Sequence, residues 1–388
     1  MMLQTEVNLT QSDTFSLFTA AQLEWLNKAR RFADTIPLAD CLKSDSENVF
    51  RRDLFEAACK QGFGSLPFPD TYGGSGGDYI SFVLINEEFA RRCMPFMSSL
   101  GVHVLCQEPV SRFGTHEQKE KYLRPSASGL FLAAFGLTEP AAGSDTAALE
   151  TTARLESDHY VLNGTKTFIT SGGSANYFIV MARLADAGIT AFIVDKESKG
   201  FEIGQKFDML GMRGYATCEL VFSDCIVPKE NLLGMHGEGR KVALSSLAKG
   251  RVTIAAQATG WAQGALDTVV TLLKERVKKG EIKVDELETC KYLLGDLATR
   301  VASARALTHQ AAYAIDRGAV DVTLAGMAKI QATDTAMHVA TEALSLAGKF
   351  GAEPDLLLER IFRDAKAGQI YEGTNQIQRM LIARSLIK

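Results

Sequence analysis

Tyr160-Val161-Leu162-Asn163-Gly164-Thr165-Lys166-Thr167-Phe168 is where this chain changes its period. Before it, apolar residues recur at three- and four-residue steps, from Leu17-Phe18 through Phe32 and again from Phe82 through Ala90, as on one face of a helix. A loop rich in glycine and proline, Pro67 to Gly77, separates these two patterns. Within the quoted stretch, residues alternate on both sides of an Asn-Gly pair, which predicts a hairpin with its turn at Asn163-Gly164. Tyr177 to Leu184 and Ile189 to Val194 read as further strands around Asp186-Ala187-Gly188, and Cys218 to Phe222 alternates again. From Gly237 the helical period returns in long segments, 240–277, 284–317, 319–347 and a last helix from Asn375. Helices, then strands, then helices predict an α+β protein of three parts. These are a helical domain over 1–130, a small β domain over 131–232 and an antiparallel helical bundle over 233–388.

Bulk properties narrow the function classes. The 388 residues are 46% hydrophobic and 23% charged, ordinary for globular domains with a substantial core. A formal net charge of -4 offers no electrostatic attraction for nucleic acid or an anionic membrane. The longest apolar run, Gly129 to Leu137, is far short of the roughly 18 residues a membrane helix needs. Met1 to Glu6 has neither a secretory nor a mitochondrial targeting character, and the 7 cysteines are odd in number with no C-x-x-C pair. Reduced thiols and a cytoplasmic location are therefore expected. The 6 histidines show no zinc-binding spacing, so no metal is expected.

Chemistry concentrates in three segments. Arg363 to Arg379 contains Tyr371-Glu372-Gly373-Thr374 at a break between two helical patterns, a carboxylate on a loop held by helices. Phe135-Gly136-Leu137-Thr138-Glu139-Pro140-Ala141-Ala142-Gly143-Ser144-Asp145 is a loop of small residues, where Ala142 and Gly143 let a ligand approach the backbone and Thr138 and Ser144 offer hydroxyls. Its other reading is a capped turn, for which Thr138-Glu139-Pro140 and Ser144-Asp145 are well suited. In Lys166 to Gly172, alternation would put Phe168 and Thr170 on one side of a strand. Alone, Phe168 reads as a core aromatic and Glu372 as a solvated helix-capping carboxylate.

Together, in this order and spacing, the three segments resemble the acyl-CoA dehydrogenase family of FAD-dependent flavoproteins over nearly the whole chain. The resemblance implies a helical domain, a β-barrel and a four-helix bundle. It implies removal of an acyl thioester α-proton by Glu372 while the β-hydride passes to flavin N5, leaving a trans-2-enoyl thioester. A thioester α-proton needs a desolvated base of raised pKa and donors for the enolate oxygen. In the family those donors are the backbone N–H of the glutamate and a ribityl hydroxyl. Leu137 and Thr138 would bond the flavin ring, Phe168 would pack on its face, and Thr170 would donate near N5. Phe135, Gly143, Ser144, Ile169, Arg276, Thr374 and Gln376 complete the implied cofactor set. Ser144, Arg251, Tyr371, Gly373 and Arg384 form the implied substrate set, although Arg384 also reads as a solvated helix-end cation. Some members carry the base just before the arginine at position 251; here that residue is Gly250, so Glu372 has no rival. The acyl pocket base is expected from the helix around Gly101 to Pro109, where Gln107 and Glu108 are polar.

The chain departs from the family at three places. Arg276-Val277-Lys278-Lys279-Gly280 has Lys279 where a phenylalanine is usual, and Glu288 stands near a usual glutamine. Leu344 replaces another glutamine, so both changes fall on the adenosine side of FAD, a pocket that crosses a subunit interface in the family. Ala248 replaces an aspartate on the substrate side, which leaves room for an acyl carrier protein in place of CoA. The implied partners are an acyl thioester, an electron-transferring flavoprotein and further copies of the chain, as a tetramer or a dimer. An oxidase and a non-catalytic paralogue are the alternatives.

Overall fold

The computed structural model describes residues 18–387; Leu17 and Met1 to Glu6, which entered the sequence reading, lie outside the described residues. The first domain packs α1 (Ala20–Asp34), α2 (Leu38–Ser46), α3 (Arg52–Lys60), α4 (Tyr79–Arg91) and α5 (Met97–Phe113), followed by short turns α6 (His116–Gln118) and α7 (Arg124–Ala127). Thr19 starts α1 with a capping box: its hydroxyl accepts from the Gln22 N–H, and the Gln22 side chain accepts from the Thr19 N–H. Phe32, Phe63, Phe89 and Phe96 form a ring cluster at its centre, with centroids 5.1 to 6.2 Å apart.

The middle of the chain supplies β1 (Ala133–Gly136), β2 (Thr152–Glu156), β3 (His159–Ile169), β4 (Tyr177–Leu184), β5 (Gly188–Asp195), β6 (Phe201–Lys206), β7 (Cys218–Pro228) and β8 (Leu232–Leu233). They form one sheet in the order β6-β7-β3-β2-β4-β5-β8, with β1 parallel to β4. Strands that are not neighbours meet through their rings. Tyr160 of β3 lies 4.9 Å from Phe192 of β5, and Phe178 of β4 lies 4.7 Å from Phe201 of β6. The sheet therefore curls onto its own core.

The expected hairpin is wrong in its turn. β3 runs unbroken through Asn163-Gly164, and the chain reverses instead at Ser157-Asp158 between β2 and β3. Asn163-Gly164 is a bulge, where the pairing of β3 with β7 shifts register. Asn163 exchanges two hydrogen bonds with Asp224, and a Cβ on Gly164 would lie 2.6 Å from the Thr151 hydroxyl. Gly164, at φ 146, supplies the backbone freedom that the bulge requires.

The last domain is built on α8 (Gly239–Lys278), α9 (Glu288–Asp316) and α10 (Val322–Ala347), with the shorter α11 (Leu358–Gly368) and α12 (Asn375–Leu386) behind them. The segment expected from Val284 begins as a single 3-10 turn, Val284–Leu287, before α9. α4 lies directly on α8, where a Cβ on Gly260 would sit 2.2 Å from the Glu87 carbonyl oxygen. No helix among the described residues is long and apolar enough to cross a membrane.

Candidate active site

Glu372 sits on the loop between α11 and α12 with φ 56, followed by Gly373 with φ 88. Two consecutive left-handed residues turn the chain sharply and push the carboxylate away from both helices. The loop is bound down from several sides. Lys329 of α10 donates to the Gly373 carbonyl at 3.0 Å and to Asn375 Oδ1 at 2.9 Å. Asn375 donates to Thr333 at 2.9 Å and to Asp334 at 2.8 Å. Gln369 also donates to Asp334 at 2.7 Å, and Arg379 pairs with it at 2.6 Å. Gln378 reaches back to the Gly373 carbonyl at 3.2 Å, and Thr374 caps α12 by accepting from the Ile377 N–H.

The carboxylate itself is left free. Glu372 Oε2 is buried without a hydrogen-bond partner among the described residues, as are Arg251 Nε and the Tyr371 hydroxyl. Burial pushes the Glu372 carboxyl up to about 7, with Arg251 and Lys329 opposing the rise. Burial likewise lowers Lys329 to about 8 and lowers Arg251, with Glu372 opposing both. A Cβ on Gly250 would stand 2.6 Å from Glu372 Oε2 and 2.5 Å from Leu105 Cδ1. Gly250 thus does more than lack a carboxylate. It leaves the space that Glu372 occupies.

A cleft of about 270 Å³, open at one side, adjoins Gly250 and Leu105 and is walled also by Phe68, Tyr79, Glu108 and Lys249. Glu108 pairs with Lys249 at 2.7 Å, whereas Gln107 is spent on the Gly64 and His103 carbonyls. Gly101 lies against Gln257 and Thr253.

The two β-domain segments are locked to each other. The Thr167 N–H donates to the Thr138 carbonyl at 2.8 Å. Lys166, fully buried, reaches under the small-residue loop to Glu139 Oε1 at 2.5 Å, and Glu139 also accepts from the Glu150 and Thr151 N–H groups. Burial lowers Lys166 to about 8 while Glu139 holds it up. The capped-turn reading is met as well, since Glu139 and Ala142 bond each other's backbone and Asp145 caps the next turn. Phe168 is no core residue: it is 54% exposed and stacks on Phe207 at 4.6 Å. Strand alternation does not place it with Thr170, because Phe168 has φ 56 and the register of β3 slips between Lys166 and Ile169. The hydroxyls of Thr138, Ser144 and Thr170 make no hydrogen bond among the described residues, and a Cβ on Gly143 would meet nothing within 4 Å. An exposed aromatic ring, with the hydroxyls of the two adjoining segments uncommitted, fits a planar heteroaromatic ring such as flavin. Phe135 and Leu137 are half-buried, and Ile169 is buried.

Helix α5 joins these halves. Ser99 accepts from the Ser171 hydroxyl at 2.8 Å at the end of β3, and Leu105, on the same helix, packs toward Gly250 beside Glu372. Six residues of helix separate them, about 9 Å.

The remaining expected residues lie elsewhere. Arg276 is 25 residues beyond Arg251 on α8, about 37 Å along the helix. There it stacks over Phe350 at 5.5 Å and pairs with Glu281, so both altered adenosine-side segments meet at that end. Gln376 and Arg384 are exposed on α12. Lys329, Asn375, Gln378 and the Lys166–Glu139 pair were not singled out from sequence. The signal for Lys329 was present: a lysine among Ala325, Ala328 and Ala332 on the helical period has to be buried and has to be partnered.

Family models for the acyl-CoA dehydrogenase N-terminal, middle and C-terminal domains match residues 19–130, 134–225 and 237–387. The short-chain specific acyl-CoA dehydrogenase of Clostridium acetobutylicum is 39% identical over 364 residues, 92% of this chain and 96% of that protein. The solved butyryl-CoA dehydrogenase of Megasphaera elsdenii superimposes with a TM-score of 0.92 at 38% identity, covering 96% of this chain and 99% of that one. A chain solved in work on the electron transferring flavoprotein of Acidaminococcus fermentans and flavin-based electron bifurcation matches at 40% identity and TM-score 0.92, over 96% and 99%. With three consecutive domain models and relatives along its length, the chain belongs to the acyl-CoA dehydrogenase family, FAD-dependent oxidoreductases acting on CH–CH bonds.

Proposed function

We propose that this protein desaturates short-chain acyl-CoA thioesters at the α,β position, with Glu372 as the base. The observation that carries the reading is the Glu372 carboxylate itself, unpartnered, desolvated and held near pKa 7 between Arg251 and Lys329. A base poised near the working pH takes a proton and later gives it up, and such a group is worth about 10²–10⁴ in rate. Bound FAD would supply the acceptor for the β-hydride. Phe168, Thr138 and Thr170 present the face and hydroxyls that hold its ring, supported by Leu137, Phe135, Gly143 and Ile169, with Thr374 and Gln376 at the loop and Arg276 serving another subunit. The Glu372 N–H takes no partner among the described residues, which supports its use as the donor to the thioester oxygen. Ser144, Arg251, Tyr371, Gly373 and Arg384 line the path of the thioester and its carrier in this reading.

CoA is favoured as that carrier because the relatives near 40% identity are CoA enzymes. An electron-transferring flavoprotein is the acceptor proposed, on the strength of the Acidaminococcus likeness. A homotetramer, with a dimer as fallback, is supported by the distance of Arg276 from Glu372 and by Tyr292, Met327 and Met380 standing exposed on the bundle. The buried free cysteines support a cytoplasmic, reducing setting, and the acyl-CoA dehydrogenase relatives support a place in fatty acid metabolism. Domain limits at 130/131 and 232/233 fall in the gaps between α7 and β1 and within β8.

The test is flavin bleaching by butyryl-CoA. The wild-type holoprotein should bleach, and Glu372→Gln should keep its FAD yet lose bleaching by at least about 10²-fold. Equal rates would remove Glu372 from the role.

A further inference from the structure

We infer that Lys329 is a positioning residue for Glu372, tying down the backbone that carries the carboxylate and setting a positive charge beside it. The inference rests on the reading of Glu372 as the base. Lys329 is fully enclosed on α10, yet it forms no ion pair among the described residues. A buried ammonium without a counter-ion is costly, and Lys166 shows the usual remedy by closing on Glu139. Lys329 instead gives its hydrogen bonds to two neutral oxygens, the Gly373 carbonyl and Asn375 Oδ1, on either side of Thr374. A neutral donor could make those bonds more cheaply. What the charge adds is its field at the carboxylate one residue upstream.

The other groups packed around Glu372 do not supply that field from the loop itself. Arg251 on α8 is the other cation and the larger charge on Glu372, but no hydrogen bond from it to the loop is found among the described residues and its buried Nε is unpartnered. Tyr79 on α4, Cys106 on α5 and Tyr371 on the loop all face the carboxylate, and burial drives each of them up, which leaves them neutral. Beyond Glu372, Lys329 feels Arg251, Asp334 and Arg379. Among the described residues, Lys329 is the cation that both hydrogen-bonds the Gly373 carbonyl and acts on the Glu372 carboxyl. The sign follows. Burial raises Glu372 and Lys329 lowers it, so a neutral residue at 329 must raise Glu372 further and leave it protonated at higher pH.

The test uses holoprotein of wild type, Lys329→Met, Lys329→Gln and Lys329→Arg. In the absence of substrate, the protonated-carboxyl infrared band that Glu372→Gln removes is titrated. Its midpoint should rise by about one pH unit in the Met and Gln variants and stay near the wild-type value in Lys329→Arg. The acid limb of butyryl-CoA bleaching should move with it, giving about a five-fold loss at pH 7 that shrinks as pH rises. A wild-type midpoint in Lys329→Gln, or a loss equal at every pH, overturns the inference. Absence of bleaching in the wild type itself would instead count against the dehydrogenase reading, and the infrared midpoint still decides the role of Lys329.

Discussion

Gly250→Ala adds one methyl group and should disable the base without replacing it. The new Cβ would stand 2.6 Å from Glu372 Oε2 and 3.1 Å from its Cδ, where ordinary contact begins near 3.4 Å. The carboxylate must therefore retreat by about 0.8 Å. The loop backbone cannot share that movement, because Lys329, Asn375 and Gln378 pin both of its flanks. Leu105 Cδ1, 2.5 Å away, can swing aside, so the strain falls on the carboxylate. A misplacement near 1 Å costs about 10² in rate, and overpacking costs about 1–3 kcal/mol in stability. Stopped-flow bleaching by butyryl-CoA measures the first and thermal unfolding the second. Gly295→Ala on α9 is the control, since its Cβ would meet nothing within 4 Å and only helix propensity changes. Gly250→Ala bleaching within two-fold of wild type would refute the steric account of residue 250.

Lys166→Met removes one partner of a fully buried pair and should destabilise the protein by about 3–5 kcal/mol, with loss of FAD on gel filtration because the Thr138 loop loses its floor. Replacing Glu139 by leucine in the same chain should restore part of that stability. Glu372 also predicts a pH effect on folding. Its carboxyl is raised from 4.5 to about 7, so the native state keeps a proton that the unfolded chain has released, and stability falls as pH rises through that window. Glu372→Gln should accordingly raise stability at pH 8, by up to about 3 kcal/mol and with a higher melting temperature, and change it little at pH 4. A gain equal at both pH values would show that the carboxyl is not perturbed.

The three-part fold was legible because each part repeats a period over many residues: Tyr177 to Leu184 and the α8 segment were bounded from sequence to within a residue or so. Local chemistry was less decisive. Asn163-Gly164 marks a break in regular backbone, and whether that ends a strand or kinks it depends on pairing with Phe222 to Cys225 of β7, far along the chain. Phe168 could not be told from a core aromatic, because its exposure comes from a bulge rather than from the strand pattern. Glu372 stood out since no helix or strand accounts for it. Its supports did not, because Lys329, Asn375 and Gln378 converge from α10 and α12 and only the folded chain brings them to one loop.

Helix α5 acts as a gauge block between the two halves of the site. Loops on either side can lengthen with little effect on what they connect, but Ser99 and Leu105 share one rigid cylinder. Deleting a single residue between them would turn one contact about 100° relative to the other and draw them about 1.5 Å closer. Either the end of β3 or the wall beside Glu372 would then lose its seat. The residue count of that short stretch is thus a quantity under constraint in its own right, independent of which side chains fill it.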